Sequence, residues 1–283
     1  MKHNNIKLGV LLCALALPCA YASKQTPSEK FGKFVASVEL GYIMTSGNTE
    51  STSFIVKADV GNETESFRNQ FSFDSLFKQD EVTLTDNETG VQYTEKVTSK
   101  EKYSTSVQTN YKVNEDGDAI LAFGSYESNR FSNFHYQASI ATGYNTRLLD
   151  SNTGFLDLSF GPGYSFDSVK VKVNADNQQI DGSGNLILDD SGNPIIGDEE
   201  ARNQLIWRAA ATYQRKITEE IKFKAAYSIE DGDYNTKSTF ESSLTMQVNG
   251  SLALKAAILN KRNSSDGTSS SDKRNSITLV YNF

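Results

Sequence analysis

The sequence predicts an all-β chain folded as one antiparallel transmembrane β-barrel of about twelve strands, with both termini in the periplasm. Three observations carry this. Apolar and polar residues alternate in segment after segment, which is the two-residue period of a strand. After the N-terminal leader no run of about 18 apolar residues exists, so no helix is long enough to span a bilayer. The chain closes on Ile277, Leu279, Tyr281 and Phe283, alternating up to a terminal phenylalanine.

Residues 1–22 read as a cleavable secretory leader. Lys2 and Lys7 form a positive start, Leu8 to Leu17 a short apolar run, Pro18 a break, and Ala20-Tyr21-Ala22 a cleavage site before Ser23. Lipid attachment is excluded by the cysteine neighbours: Cys19 follows Leu17-Pro18 and Cys13 lies inside the apolar run. Cleavage removes both cysteines, so the remaining chain has no disulfide and no thiolate metal site. It also removes two lysines, which takes the net charge from −7 to −9. An acidic chain argues against nucleic acid as a partner. It suits an outer membrane, where divalent cations bridge carboxylates and the phosphates of lipid and lipopolysaccharide; the plainer reading is that the acids keep loops solvated. Residues 23–32 are expected to be a periplasmic segment with room for a small partner there.

The 283 residues suffice for one large domain or two small ones, yet only 37% are hydrophobic and the mean hydropathy is −0.47. That is lean for a soluble core. A barrel with a wet interior accounts for it, because one strand residue in two faces lipid.

The strands follow in order, at 33–45, 50–61, 65–79, 98–113, 118–131, 134–149, 154–167, 201–217, 220–231, 235–248, 250–261 and 273–283. In the first, Phe34, Ala36, Val38, Leu40 and Tyr42 alternate with Val35, Ser37, Glu39 and Gly41. In the third, Phe67, Phe71, Phe73 and Phe77 oppose Arg68, Gln70, Asp74 and Lys78. Tyr103, Val107 and Tyr111 mark the fourth, Leu205, Trp207 and Tyr213 the eighth, and Phe223, Tyr227 and Ile229 the ninth. The fifth is ambiguous, since Ile120, Ala122, Gly124 and Tyr126 suit lipid while Leu121 and Phe123 occupy the other face. The 16 Phe and 13 Tyr supply interfacial girdles. The last strand, Ile277 to Phe283, resembles the C-terminal signature by which the barrel-assembly machinery recognises outer-membrane barrels for insertion. Domain 33–283 is therefore expected to be the outer-membrane barrel of a Gram-negative bacterium.

Connection lengths agree. With both termini in the periplasm, every second connection is a short turn: 62–64, 114–117, 150–153, 218–219 and 249. The long connections 80–97, 168–200 and 262–272 fall on the other parity, outside the cell. Within 168–200, Ser183-Gly184-Asn185-Leu186-Ile187 is echoed by Ser191-Gly192-Asn193-Pro194-Ile195. Ser-Gly-Asn turns before β-branched residues predict small projecting hairpins. Asp181, Asp189, Asp190, Asp198, Glu199 and Glu200 offer oxygen ligands for a divalent cation, but without EF-hand spacing; the competing reading is a solvated loop.

Several segments together resemble a known family. They are Gly41-Tyr42-Ile43-Met44-Thr45-Ser46-Gly47-Asn48-Thr49, then Tyr126-Glu127-Ser128-Asn129-Arg130-Phe131, then Gly143-Tyr144-Asn145-Thr146-Arg147-Leu148-Leu149-Asp150, then Gly161-Pro162-Gly163-Tyr164, and finally Leu279-Val280-Tyr281-Asn282-Phe283. Their order is similar to that of a domain-of-unknown-function family labelled salt-induced outer-membrane protein, over nearly the whole chain from about residue 33. The resemblance implies an outer-membrane β-barrel and salt-linked expression. It carries over no catalytic residue and no cofactor. Independently, Gly161-Pro162-Gly163 predicts a kink in the wall, because proline cannot donate to the ladder and glycine tolerates a bend; a binding notch is the alternative.

For chemistry, the leaderless chain retains one histidine, His135. Its same-face neighbours are Asn133 and Gln137, and Ser139 is about 13 Å away along a strand, out of hydrogen-bond reach. An outer-membrane hydrolase using His135 would need a carboxylate from a neighbouring strand; otherwise His135 is a polar residue near the outer rim. No phosphate loop, metal-binding His pair or dinucleotide fingerprint appears. The alternation places Lys57, Arg68, Lys102, Lys112, Arg147, Arg208, Lys222, Lys224 and Lys255 on the lumen face, with Glu39, Asp59, Asp74, Glu127, Asp157, Glu230 and Glu241. Near balance of charge fits a narrow channel for small solutes, or a closed interior cross-linked by ion pairs. Twelve strands lie between filled and open barrels and do not choose. The expected function is non-enzymatic, a small-solute channel or passive envelope component; the alternative is a surface-binding or adhesion barrel acting through its long loops.

Overall fold

The computed structural model describes residues 33–45, 50–86, 89–114, 117–265 and 268–283. The leader and residues 23–32 lie outside the described residues. Twelve strands form: β1 (Lys33–Thr45), β2 (Ser51–Glu63), β3 (Phe67–Thr85), β4 (Gln92–Lys112), β5 (Ala119–Asn129), β6 (Phe134–Ser151), β7 (Gly154–Lys170), β8 (Glu199–Lys216), β9 (Ile221–Gly232), β10 (Asn235–Gln247), β11 (Leu252–Ser265) and β12 (Thr268–Asn282). Each pairs antiparallel with its sequence neighbours, and β12 returns to β1, so the sheet is a closed barrel. Closure gives every strand a paired neighbour on both sides. The even count brings the start of β1 and the end of β12 to one rim, here called the near rim; the connection 171–198 stands at the far rim.

The wall is inside out relative to a soluble protein. On β8, Leu205 is 74% and Trp207 56% exposed, while Gln204 is 5% and Arg208 7% exposed. Glu39, Lys57, Lys102 and Lys255 are buried as well. An apolar belt of this extent would not stand free in water, and charges are seldom buried unless paired. Lipid outside and ion pairs inside satisfy both. Aromatic pairs mark the belt: Phe67–Tyr111 at 5.3 Å and Tyr281–Phe283 at 4.8 Å close to the near rim, and the stack Tyr103–Tyr126–Tyr136 at 6.1 and 5.8 Å nearer the far rim.

Two expected loops are corrected. The segment 80–97 is mostly ladder: β3 and β4 continue as a ribbon from Asp80↔Val97 to Thr85↔Gln92, past a bulge at Lys78/Gln79. The segment 262–272 likewise pairs, from Lys261↔Asp272 to Ser265↔Thr268. Both ribbons rise beyond the belt, where neither face needs to be apolar. The alternation that reveals a strand in lipid fades there while backbone pairing continues.

On β5, Ile120 faces out and Leu121, 3% exposed, faces in, so the two-sided apolar pattern reflects a lumen that is locally apolar. At Gly161-Pro162-Gly163 the β7–β8 ladder runs unbroken, and only the β6–β7 ladder has a gap, with no change of register across it. The β6–β7 ladder holds Ala141↔Gly163 and Tyr144↔Phe160 but makes no pair between them. The backbones press together there. A Cβ at Gly161 would stand 2.0 Å from the Thr142 carbonyl oxygen, and one at Gly143 would stand 2.3 Å from that of Phe160.

Candidate functional site

The interior holds ion pairs in tiers. Near the termini, Arg147 on β6 grips Asp157 on β7 in a bidentate pair at 2.6 and 2.7 Å. Arg68 on β3 reaches the same carboxylate at 3.7 Å and Glu63 at 3.5 Å, and Lys112 on β4 meets Glu63 at 2.8 Å. At mid-height, Lys255 on β11 binds Glu39 on β1 at 2.6 Å, and Lys57 on β2 binds Glu241 on β10 at 3.1 Å. Arg274 on β12 forks onto Asp74 on β3 at 2.6 and 3.1 Å. Lys224 adds its charge beside Glu241, and Asp59 accepts from the Ser72 hydroxyl at 2.6 Å.

Toward the far rim, Glu127 on β5 takes Lys102 at 3.0 Å and Lys261 at 2.6 Å. Beside them Glu230 meets Arg208 at 3.5 Å and Lys237 at 3.2 Å, and the Arg208 guanidinium lies 3.6 Å from the centre of the Phe123 ring. Lys222 is exposed close to the near rim, opposite Thr245 and Lys216.

The Lys261–Glu127 pair fixes the cross-section. Five strands separate β11 from β5 in either direction around the ring, so these strands are opposite walls. Twelve strands about 4.8 Å apart and tilted about 40° would close a circle roughly 24 Å across. An extended lysine and glutamate span only about 14 Å, contact included, from standard bond lengths. The barrel is therefore flattened at this level. Asn263 on β11 also donates to Gln137 on β6 at 3.1 Å, continuing the strut. Space remains on either side: a mid-lumen cavity of about 190 Å³ bordered by Asp74, Phe123, Arg208 and Glu230, and a vestibule of about 340 Å³ at the far rim bordered by Leu76, Lys100, Lys102, Asn133 and Asp272.

Sequence reasoning passed over Glu63, Lys237, Lys261, Asp272 and Arg274. The signal for two of them was present: Arg274 shares the inward parity of Ser276 and Thr278, and Lys261 that of Lys255 and Ala257. Asp272 was hidden by its assignment to a loop.

His135 sits at the far rim. Its Nε2 lies 3.6 Å from the Asp198 carboxylate and 3.3 Å from the Asp198 carbonyl oxygen. His135, Asp198 and Glu199 hold three ligand atoms within 4.8 Å of one another. Tetrahedral zinc, with bonds of about 2.0–2.2 Å, needs donors roughly 3.4 Å apart, so the set is loose, and both carboxylates are exposed to water.

The connection 171–198 contains three copies of one hairpin, where the sequence suggested two. Asn174, Asp181 and Asp189 each head a turn. Their side-chain Oδ1 accepts from the backbone N–H groups two and four residues on. The fourth residue of each, Asn177, Gly184 and Gly192, has positive φ, which asparagine and glycine tolerate. Bridges Val173↔Gln179, Ile180↔Leu186 and Leu188↔Pro194 close the three. The first copy escaped notice because it carries Asn for Asp and Asn for Gly. The N–H donors of Asn185 and Ser183 hold the Asp181 carboxyl below its ordinary range, and those of Asn193 and Ser191 do the same for Asp189. These oxygens are committed to the turns.

Residues 38–283 match the family described as Protein of unknown function, DUF481. The chain belongs to this family. It is 21% identical over 275 residues to "Uncharacterized protein YdiY" of Escherichia coli (strain K12), covering 96% of this chain and 92% of that one. Among solved structures it is similar to the translocator domain of the autotransporter NalP from Neisseria meningitidis, with 11% identity, TM-score 0.45 and coverage of 91% and 90% of the two chains. It is also similar to the outer membrane channel DcaP of Acinetobacter baumannii, with 10% identity, TM-score 0.37 and coverage of 88% and 95%. This DUF481 member is an outer-membrane-type β-barrel. The salt-induced description concerns expression, and no contact in the barrel bears on it.

Proposed function

We propose that this protein is a closed, ion-pair-braced barrel of a Gram-negative outer membrane, a passive envelope component rather than an open solute channel or an enzyme. The observation that carries this is the Lys261–Glu127 strut at 2.6 Å between opposite walls. A solute moving along the axis would have to part this pair and then the tiers of Lys57–Glu241 and Arg68–Asp157. Separating paired charges in a low-dielectric interior is costly. In this reading the leader at 1–22 is cleaved, the near rim faces the periplasm, the barrel-assembly machinery reads Ile277 to Phe283, and the far-rim hairpins face lipopolysaccharide.

The hydrolase reading has the carboxylate it requires, Asp198 at 3.6 Å from His135 Nε2, but the pair stands at the far rim with Asp198 open to water, outside both the cavity and the vestibule. Liposome swelling tests the proposal. Vesicles carrying the folded protein should swell no faster in isosmotic glycine or arabinose than protein-free vesicles; rapid swelling would establish an open channel.

A further inference from the structure

The β1–β12 seam differs from the other ladders. It runs only from Ser37↔Asn282 to Leu40↔Leu279. Beyond it, Gly41–Thr45 and Arg274–Thr278 are both strand, and each pairs on its other side with β2 or β11. Among the described residues no ladder pair joins these two segments. Within the lipid belt, strand backbone that has no partner is strongly disfavoured, so this half-seam is a place where the wall can part.

The outer face of the half-seam is apolar; its inner face is apolar along β1 to β3 and polar on β12, where Ser276 and Thr278 are buried. Tyr42 and Ile277 flank it outside, 60% and 68% exposed. Inside, Gly41 is in register with Ile55, Ile55 with Leu76, and Leu76 with Lys102. An apolar lane thus leads from the seam to the cationic vestibule of Lys100 and Lys102. A latch crosses its inner face: Arg274 on β12 grips Asp74 on β3 past β1 and β2, and Asp272 meets Lys100 at 3.1 Å and Lys102 at 3.6 Å. Arg274 Nε is buried without an acceptor, a spare donor beside the lane.

We propose that the far half of the β1–β12 seam is a lateral gate, latched by Arg274–Asp74 and Asp272–Lys102, through which a single-chain acyl amphiphile with an anionic headgroup moves between the vestibule and the surrounding lipid. The tail follows the line of Gly41, Ile55 and Leu76, of which Leu76 borders the vestibule, and the headgroup meets the lysines that Asp272 otherwise occupies. The gate rests on the closed lumen proposed above, since an open pore would need no side exit.

The test places a reporter in the lane. Trp207, the chain's one tryptophan, is changed to Phe and Leu76→Trp is introduced. Cys13 and Cys19 are changed to Ser, and Ile43→Cys with Ser276→Cys sets a lock across the half-seam. The probe is 9,10-dibromostearate in phosphatidylcholine vesicles, whose bromines quench nearby tryptophan. The gate predicts quenching of the reporter with the lock reduced, loss of quenching when the disulfide forms, and stronger quenching in Asp74→Asn. A control pair, Val38→Cys with Tyr281→Cys in the intact ladder, should leave quenching unchanged. Quenching that persists with the lock closed means entry through the mouth and overturns the gate, as does absence of quenching in the reduced protein. Ion conductance of the same protein is read separately. Conductance with lock-sensitive quenching would sink the closed lumen and leave the gate standing.

Discussion

Glu39 and Lys255 form the most enclosed ion pair of the barrel, at 2.6 Å with side chains 4% and 10% exposed. Glu39 also accepts from the Thr278 hydroxyl at 3.2 Å. Without Glu39, Lys255 keeps only the longer contact to Glu241 at 3.6 Å, so Glu39→Gln should lower unfolding stability in lipid by about 1–3 kcal/mol. Lys100–Asp272, at 3.1 Å but 46% and 38% exposed, is screened by water, and Lys100→Gln should cost about 0–1 kcal/mol. Urea titration of both variants checks the contrast; equal losses would show that burial does not set the worth of these pairs. At this scale the side of the wall was legible for residues such as Glu39, Lys57 and Arg208, because strand alternation assigns each side chain a face. Their partners were not. Which charges meet across a lumen depends on closure and flattening, and no local spacing records that Lys261 will reach Glu127, 134 residues away in sequence.

Among the elements, all twelve strands could be read from alternation where lipid imposes it, and their ends were missed where the ribbons leave lipid. The gap in the β6–β7 ladder at Gly161 was readable from Pro162, but the need for glycine at Gly143 was not, since it arises from the facing backbone. Gly161→Ala would set its Cβ against the Thr142 carbonyl oxygen at 2.0 Å. Backbone cannot yield as a flexible side chain can, so this variant should fold poorly or not at all; Gly124→Ala, with its nearest atom at 3.6 Å, should fold normally. Refolding yield by electrophoretic heat-modifiability separates them.

The far-rim hairpins predict a pH response. Asp181 and Asp189 are held below their ordinary carboxylate range by turn N–H groups. A lowered folded value means that this contribution is complete above the ordinary carboxylate value and is lost as pH falls through the lowered one. Amide protection at Asn185 and Asn193 should therefore hold from neutral pH into mild acid and fall only in strong acid. The Asn174 hairpin, whose head does not titrate, should stay protected throughout. Parallel loss in all three hairpins would contradict this.

For the whole molecule, the sequence carried the barrel, its strand count and the balance of charge inside it, yet could not choose between a pore and a filled interior. A count of twelve strands sets the circumference, whereas the cross-section follows from side chains on opposite walls. Lys261 and Glu127 draw β11 and β5 together, and both side chains border the mid-lumen cavity and the far-rim vestibule; the proposed reading is that this strut closes the bore. Single-channel recording of the refolded barrel in a planar bilayer tests this most directly. The closed barrel predicts no unitary current from protein shown to be folded. Stable unitary currents from the unaltered protein would contradict it.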